Sequence, residues 1–314
     1  MVAMDETPEN DKRRGRLPEG PVAAQHCIVY TGRDMKILSF QSAVTFGHVG
    51  NSAALFALQR LGLDACPVDT VQFSNHPGHG AWRGRALPAE ALGEMVDGLE
   101  GAGLLDAFGA VLSGYLGQAG TGDVVAGAVR RLRRLRPDAL YLCDPVMGDE
   151  GRLYVDAGIP EIFARTLLPL ADLATPNRFE LGLLTGRSIN DVADALAASH
   201  VLMAGGVKAV VTTSLPAGDG LIGCLAVDGQ GAWLVRTPLL PFATPPNGGG
   251  DTLSALLLGH VLKGRALPEA LSLAVSSLFG ILEATRSRGG REMALVAGQD
   301  EIALPTTLFP PLPV

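Results

Sequence analysis

The 314-residue chain lacks the cysteine spacing of zinc sites and redox pairs. Its four cysteines, Cys27, Cys66, Cys143 and Cys224, are far apart, and none forms a Cys-x-x-Cys motif. Scattered cysteines in an apolar-rich chain are usually buried thiols in a reducing compartment. The charged N-terminal stretch also lacks the apolar core of a signal peptide. These features predict a cytoplasmic protein.

The chain also lacks an excess of basic residues. It has 25 Lys and Arg against 32 Asp and Glu, a net charge of −7 and a pI near 5.4. That balance argues against a general nucleic-acid binder. No apolar run of membrane-spanning length stands out, so we expect neither a nucleic-acid partner nor a membrane partner.

Two common nucleotide-binding motifs are missing as well. The chain has no G-x-x-x-x-G-K-[ST] motif, which excludes a P-loop protein. No G-x-G-x-x-G follows the first predicted strand, which argues against a nicotinamide-dependent dehydrogenase.

Alternating strands and helices make up most of the chain. It is 47% hydrophobic and 18% charged, enough to bury a large core. Residues 1–34 carry mixed charge and several prolines, and we expect a flexible tail there. Residues 35–314 are predicted to form one α/β domain, a sheet with helices on both faces. The predicted strands are 36–40, 65–73, 110–112, 139–143, 172–174, 207–213, 221–227 and 232–236. The predicted helices are 52–61, 89–99, 121–135, 159–166, 179–184, 191–203 with Asn190 as its N-cap, one after residue 251, and 268–285.

Polar loops follow the predicted strands. In α/β folds ligands bind beyond the carboxyl ends of the strands, so these loops should converge on one edge of the sheet. They are residues 41–51, 74–80, 113–117, 144–149, 175–177, 213–220 and 247–251.

The last of these loops, Asn247-Gly248-Gly249-Gly250-Asp251, opens an apolar helix. Unpaired backbone N–H groups at a helix start form an anion site, and glycine allows close approach to them. A carboxylate beside an anion site costs electrostatic energy, so Asp251 suggests chemistry: accepting a proton from a hydroxyl that attacks a phosphate. The alternative is a turn in which Asp251 merely caps the helix.

Taken in order, the loops resemble the pyridoxal kinases of the ribokinase-like superfamily. The matching segments are Gln41-Ser42 with residues 47–51, residues 70–76, 113–117 and 143–148, Thr175-Pro176-Asn177 with Glu180, residues 212–214, and residues 248–251. The resemblance covers roughly residues 36–303. It implies a three-layer sandwich with a mostly parallel central sheet, in a protein that phosphorylates the 5′-hydroxymethyl group of pyridoxal, pyridoxine or pyridoxamine from ATP. It also implies Mg²⁺, often K⁺, and a homodimer.

The resemblance assigns roles by position. Asp251 resembles the catalytic base, and Gly248, Gly249 and Gly250 resemble the anion hole for the transferred phosphoryl group. The substrate side comprises Ser42, Tyr115, His76 and Pro77. The residues near ATP are Asp144, Asn177, Glu180, Thr213 and Ser214, with Asp144 and Glu180 also near the metal.

Simpler interpretations remain open for several of these residues. Asp144 precedes Pro145 and suits the start of a turn. Glu180 suits the first turn of a helix, where the dipole favours a carboxylate. Ser42 fits a plain loop hydroxyl, and Tyr115 fits the core. His48, His76 and His79 lack zinc-site spacing, so we expect hydrogen-bonding histidines in a loop or pocket.

Three departures from the family pattern bear on activity. Gly249 stands where relatives often have Ala or Thr, and Pro77 stands where many have Thr. The segment 213–220 is rich in Pro and Gly and is expected to reshape the adenine side. Two other functions therefore stay open: a hydroxymethylpyrimidine kinase of the same fold, and a weakly catalytic vitamer-binding protein.

Overall fold

The computed structural model describes residues 35–149 and 151–314. The predicted tail, residues 1–34, lies outside the described residues, and Cys27 lies with it. The twelve strands of the described part are β1 (Lys36–Phe46), β2 (Asp64–Asn75), β3 (Gly84–Ala86), β4 (Phe108–Ser113), β5 (Leu140–Cys143), β6 (Gly148–Asp149), β7 (Arg152–Leu153), β8 (Leu173–Ala174), β9 (Ala209–Pro216), β10 (Leu221–Asp228), β11 (Gly231–Pro238) and β12 (Leu312–Pro313).

Ten of these strands form one sheet, in the order β12-β11-β10-β9-β8-β5-β4-β1-β2-β3. The six strands from β9 to β2 run parallel, and antiparallel strands flank them on both sides. The strands β6 and β7 form a separate antiparallel pair. The prediction of a mostly parallel sheet is confirmed.

Helices cover both faces of the sheet. They are α1 (Asn51–Arg60), α2 (Ala89–Gly101), α3 (Ala119–Leu135), α4 (Ile159–Ile162), α5 (Arg178–Thr185), α6 (Val192–Ala204), α7 (Gly249–Leu262), α8 (Leu267–Ser287) and α9 (Gln299–Ala303). Successive strand residues point to opposite faces: Ile37 packs with α1, α7 and α8, while Leu38 packs with α2 and α3. The two cores confirm the three-layer α/β sandwich.

The register of the central strands brings the predicted site loops to one level. Phe40 lies opposite Ser113, Ser113 opposite Cys143, and Cys143 opposite Ala174. The residues that follow these positions therefore leave the sheet side by side. This alignment carries Asp144 and the start of the 175–177 loop to the same edge.

Two predicted loops are partly strand. Residues 41–46, expected as loop, continue β1, which pairs with β2 as far as Phe46 opposite Asn75, with an irregularity at Gln41. Likewise β9 continues to Pro216, which pairs with Ile222 of β10. Neither segment alternates apolar and polar residues as a strand does, but pairing of the backbone with a neighbouring strand is enough to keep both extended.

The predicted N-cap of α6 is wrong by one residue. The side chain of Asp191, not Asn190, accepts a hydrogen bond from the Asp194 backbone N–H at 2.8 Å. Asn190 precedes the cap, and its own N–H donates to the Asp194 side chain at 2.9 Å. The two contacts together form a reciprocal cap, so both residues serve the helix start.

Helix α8 is longer and more apolar than the helix predicted from the sequence over residues 268–285. It has 21 residues, and an 18-residue window within it has a mean hydropathy of 1.4, enough by length and composition to cross a membrane; half of that window is buried. The statement that no apolar run has this length is therefore wrong for α8. Its residues Ala270, Leu271 and Ala274 pack in the core beside α7, as in a core helix of a folded domain.

One histidine of α7 is buried without a partner. His260 is 8% exposed, and its Nε2 has no hydrogen-bond partner among the described residues. Burial, with Lys263 and Arg265 nearby, lowers the pKa of His260 to about 4. The unfolded chain, with an imidazole pKa of about 6.5, then binds the proton more readily. The contribution of neutral, buried His260 to the free energy of unfolding is fully present above about pH 6.5 and is lost as the pH falls through about 4.

His260→Leu should therefore make folding less sensitive to acid. Between pH 7 and pH 5 the free energy of unfolding should fall by about 2 kcal/mol less in His260→Leu than in the native chain. Urea unfolding at both pH values measures the difference. His200→Leu, a change at an exposed helical histidine, is the control. An equal acid loss in His260→Leu and the native chain would contradict this account.

Candidate active site

The glycine-rich turn before α7 starts the helix by a close backbone approach. Gly248 is the N-cap with φ +91°, a region that favours glycine. A Cβ on Gly248 would lie 2.0 Å from the His48 carbonyl oxygen, so no side chain fits there. A Cβ on Gly249 would meet nothing within 4 Å. The backbone of Gly248 thus packs against the 47–50 turn, while Gly249 faces open space.

Asp251 lies in the first turn of α7, but it does not cap that helix. Its Oδ2 accepts a hydrogen bond from the backbone N–H of Gly50 at 2.8 Å, across 201 residues of sequence. The capping interpretation of Asp251 is therefore not what the structure shows. Burial raises the pKa of Asp251, and the Gly50 N–H partly opposes that rise.

Asp144 lies at the end of β5, close to Asp251. It is 5% exposed, and its Oδ2 accepts a hydrogen bond from Ser254 of α7 at 2.8 Å. Ser254 in turn contacts Thr175 at 2.9 Å. Burial raises the pKa of Asp144 well above its usual range, and the charges of Glu180 and Asp251 raise it further. Asp144, Glu180 and Asp251 therefore repel one another in a site with little water.

Glu180 is 3% exposed and holds two loops together. Its Oε1 accepts from the backbone N–H groups of Met147 and Gly148, at 2.8 and 3.4 Å. Its Oε2 accepts from the N–H of Asn177, whose side chain caps the Glu180 N–H at 2.9 Å in return. This is a capping box. Burial raises the pKa of Glu180 to about 7, opposed by these three N–H groups.

The carboxylates differ in how well they fit a cation. Asp144 offers hard oxygens beside the glycine turn, as Mg²⁺ prefers, whereas Glu180 already accepts three backbone N–H groups. In the described part of the chain, no three or more His, Cys, Asp and Glu side chains form a metal-binding group. Mg²⁺ commonly takes one or two protein carboxylates plus substrate phosphates, which suits Asp144. A direct metal contact by Glu180 stays a prediction.

A cleft of about 1030 Å³ opens on one side of the glycine turn. The predicted ATP-side residues Thr213 and Ser214 line it, together with Gly249 and Gly250. Ser214 has φ +60° and is the one residue other than glycine with positive φ in the described ranges. A non-glycine residue held in this region is strained, and such strain clusters at ligand sites. The predicted ATP-side residue Asn177 lies beside the cleft, bridged to Thr213 through backbone pairing.

Of the predicted substrate residues, Ser42 lies beside the turn that holds Asp251, and His76, Pro77 and Tyr115 lie in two further loops. The backbone and hydroxyl of Ser42 pack against Gly50, where a Cβ would lie 2.1 Å from the Ser42 carbonyl oxygen. His76 starts a short turn through Pro77, and its Nδ1 accepts from the Gly78 N–H at 3.0 Å. The carbonyl of Tyr115 accepts from Thr70 at 2.6 Å, and its side chain is partly exposed. Asp251 thus lies between Gly250, which lines the cleft, and the Gly50 turn, which packs on Ser42.

Several residues of the site have contacts that the sequence did not predict. Gly50 and Ser254 act on Asp251 and Asp144, but one acts through its backbone and the other lies in an apolar helix. Partial burial raises the pKa of Tyr154, which is still 51% exposed, and the charges of Glu180, Asp144 and Asp251 raise it further. Glu292, far along the chain, contacts both His48 and His79. None of these four residues has a sequence pattern that distinguishes it from a surface or core residue.

Two relatives named pyridoxal kinase PdxY align with this chain over nearly their whole length. Pyridoxal kinase PdxY of Rubrobacter xylanophilus is 49% identical over 284 residues, covering 89% of this chain and 97% of the relative. Pyridoxal kinase PdxY of Deinococcus radiodurans is 48% identical, covering 87% and 94%. The chain belongs to the pyridoxal kinase family. The profile of a broader family, phosphomethylpyrimidine kinase, matches residues 106–293.

Solved structures agree with this membership. Pyridoxal kinase from Leishmania donovani, in complex with ADP and pyridoxamine, superposes with a TM-score of 0.84 at 31% identity, covering 90% of this chain and 100% of that one. A putative phosphomethylpyrimidine kinase from Bacteroides thetaiotaomicron superposes with a TM-score of 0.82 at 25% identity, covering 91% and 99%. The pyridoxal kinase fold is thus shared over almost the entire described part.

The two neighbouring glycines of the turn should respond differently to alanine. In Gly248→Ala the new Cβ meets the His48 carbonyl, so the turn must shift, and we expect turnover with pyridoxal and Mg·ATP to fall by about tenfold or more. In Gly249→Ala the Cβ has space, so thermal stability should be kept or raised.

Turnover and thermal unfolding of the two variants, measured side by side, test this difference. Equal loss of activity in both variants would contradict the assignment of Gly248 as the position that requires glycine.

Proposed function

We propose that this chain transfers the γ-phosphoryl group of ATP to the 5′-hydroxymethyl group of pyridoxal, giving pyridoxal 5′-phosphate in vitamin B6 salvage. Pyridoxine and pyridoxamine are proposed as further acceptors. The observation that carries the proposal is the position of Asp251. Its carboxylate lies at the glycine-rich start of α7, between the nucleotide-sized cleft and the turn that packs on Ser42.

Asp251 suits the role of general base. The Gly50 N–H holds Oδ2 at 2.8 Å, which fixes the orientation of the carboxylate. Burial raises the pKa of Asp251, and a base with a pKa closer to neutrality accepts a proton more readily during attack. The hydroxyl of the substrate then attacks the γ-phosphorus as its proton passes to Asp251, and ADP leaves from the opposite side.

The start of α7 suits the transferred group. The first N–H groups of a helix have no partner within it, and the helix dipole adds positive potential there. Gly249 and Gly250 present these groups without side chains and also line the cleft. We assign this end of α7 as the anion hole, with Gly248 setting its geometry and Thr213 and Ser214 on the nucleotide side.

Asp144 is the proposed protein ligand for Mg²⁺, which when bound would neutralise charge on the ATP phosphates. Ser254 orients Asp144, and the capping box of Asn177 and Glu180 holds the 144–148 loop in place. Binding of a cation would also relieve the repulsion among Asp144, Glu180 and Asp251.

Ser42, His76, Pro77 and Tyr115 are proposed to contact the vitamer. A K⁺ requirement and a homodimer are carried over from the family resemblance alone. A cytoplasmic location is supported by the free thiols of Cys66, Cys143 and Cys224 within the described residues.

A hydroxymethylpyrimidine kinase is the second candidate. The phosphomethylpyrimidine kinase profile favours it over residues 106–293, a range that contains Asp144, Glu180 and Asp251. That range leaves out Ser42 and the loop of His76, which the pyridoxal kinase relatives do cover in their longer matches. The part of the chain nearest the proposed vitamer side therefore supports pyridoxal.

Asp251→Asn tests the proposed base. The amide keeps the size of the side chain but cannot accept the proton, so turnover of pyridoxal should fall by about 10²–10⁴-fold. Affinity for ADP should change little, because the cleft is intact. Steady-state kinetics and ADP titration measure the two quantities. Asp300→Asn, a change at an exposed surface pair with Arg60, is the matched control.

Normal turnover in Asp251→Asn would overturn the assignment of the base. Vitamer binding by the native chain without any ATP consumption would instead favour a vitamer-binding protein.

A further inference from the structure

Glu292 lies in the connection between α8 and α9, far along the chain from the loops discussed above. Its side chain is 20% exposed, much less than is usual for a surface glutamate. The residue has no part in the proposed chemistry, yet its carboxylate points at segments that border the site.

The carboxylate contacts two loops at once. Its Oε1 pairs with Nε2 of His79, which is also mostly buried. Its Oε2 accepts a hydrogen bond from the backbone N–H of His48 at 3.2 Å. The backbone of Glu292 in addition forms a parallel bridge with Asn247, the residue before Gly248. One residue therefore joins three segments that are distant in sequence.

Gly47 shows how closely these segments approach. It has φ +103°, and a Cβ there would lie 1.9 Å from Oε2 of Glu292. The carboxylate therefore rests directly on the backbone of the 47–50 turn. Next to Glu292, the side chain of Arg291 donates a hydrogen bond to the carbonyl oxygen of Gly78 at 3.3 Å, in the loop that also carries His79.

Each of the three segments borders the proposed vitamer side. The 47–50 turn carries the N–H of Gly50 that holds Asp251. Asn247 precedes the anion-hole glycines. The loop of residues 76–80 carries His76, whose Nδ1 accepts from the Gly78 N–H and which therefore keeps its other ring nitrogen, Nε2, as the donor when neutral.

Pro77 makes the anchoring of the 76–80 loop more important. Proline has neither a side-chain hydroxyl nor a backbone N–H, so this residue cannot fix the loop by donating a hydrogen bond. The His79–Glu292 pair supplies such an anchor two residues later, and Phe46 packs edge-on against His79 with ring centroids 6.0 Å apart.

We propose that Glu292 is a positioning residue for the vitamer. By joining the loop of His76 and Pro77 to the 47–50 turn, its carboxylate fixes the width of the vitamer side. The two side-chain partners of Glu292, His48 and His79, are not among the residues that line the nucleotide cleft. The inference rests on the proposed function, because it concerns where that function's acceptor binds.

Steady-state kinetics with pyridoxal and Mg·ATP test the role of Glu292. Glu292→Ala removes both side-chain contacts, and His79→Ala removes one. Each should raise the KM for pyridoxal by about threefold to tenfold, because the 76–80 loop loses a contact that holds it against the 47–50 turn; a tenfold rise corresponds to about 1.4 kcal/mol. The KM for Mg·ATP should stay unchanged.

Conservative variants and a control separate positioning from general damage. Glu292→Gln keeps an acceptor for the His48 N–H, and His79→Gln keeps a donor for Glu292, so both should regain part of the lost pyridoxal affinity. The double variant Glu292→Ala/His79→Ala should be no worse than Glu292→Ala, since the two residues act as one pair. Glu269→Ala, which breaks an exposed pair with Arg265, is the matched control.

An unchanged KM for pyridoxal in both alanine variants would overturn the inference, as would a parallel rise in the KM for Mg·ATP or additive effects in the double variant. Should Glu292→Ala fail to fold, His79→Ala in the loop gives the same test. Failure of the proposed function is distinct, because the native chain itself would then phosphorylate no vitamer.

Discussion

The site depends on keeping three carboxyl groups close together where little water reaches them. Burial raises the pKa values of Asp144, Glu180 and Asp251, and the charges of Glu180 and Asp251 raise the pKa of Asp144 further. Such an arrangement is costly unless each group has partners. Ser254, the Gly50 N–H and the capping-box N–H groups supply those partners. The fold is therefore built to hold carboxyl groups where a bound cation would offset their negative charge.

Asp251, one of these three carboxyl groups, lies at the boundary between two sides of the site. The start of α7 lines the cleft with glycine backbone, while the opposite side of Asp251 contacts the 47–50 turn beside Ser42. A base between two compartments can reach a hydroxyl on one side and a phosphate on the other. Gly249 leaves open space at this boundary, and Pro77 offers no hydrogen-bond donor on the proposed vitamer side.

Much of the fold could be predicted from sequence, because hydrophobic periodicity and glycine punctuation are local signals. The alternating elements placed the seven loops at strand ends, and Asp144, Glu180 and Asp251 do converge there. Residues 41–46 were predicted as loop because their strand state depends on pairing with β2, a distant segment. The hydrogen bonds of Glu180 and of Asp251 could not be predicted either. Each joins a side chain to a backbone N–H, and every residue except proline has a backbone N–H. Glu292 shows the same limit: only the folded chain brings it to His48 and His79.

The proposed reaction of the site is phosphoryl transfer to the 5′-hydroxymethyl oxygen of pyridoxal. Product identification after incubation with Mg·ATP and a panel of pyridoxal, pyridoxine, pyridoxamine and hydroxymethylpyrimidine tests it most directly. The account predicts a pyridoxal phosphomonoester with phosphorus on the 5′ oxygen, seen by mass spectrometry and by coupling of ³¹P to the 5′ methylene protons. Phosphorylation of hydroxymethylpyrimidine with no phosphorylated vitamer would contradict it.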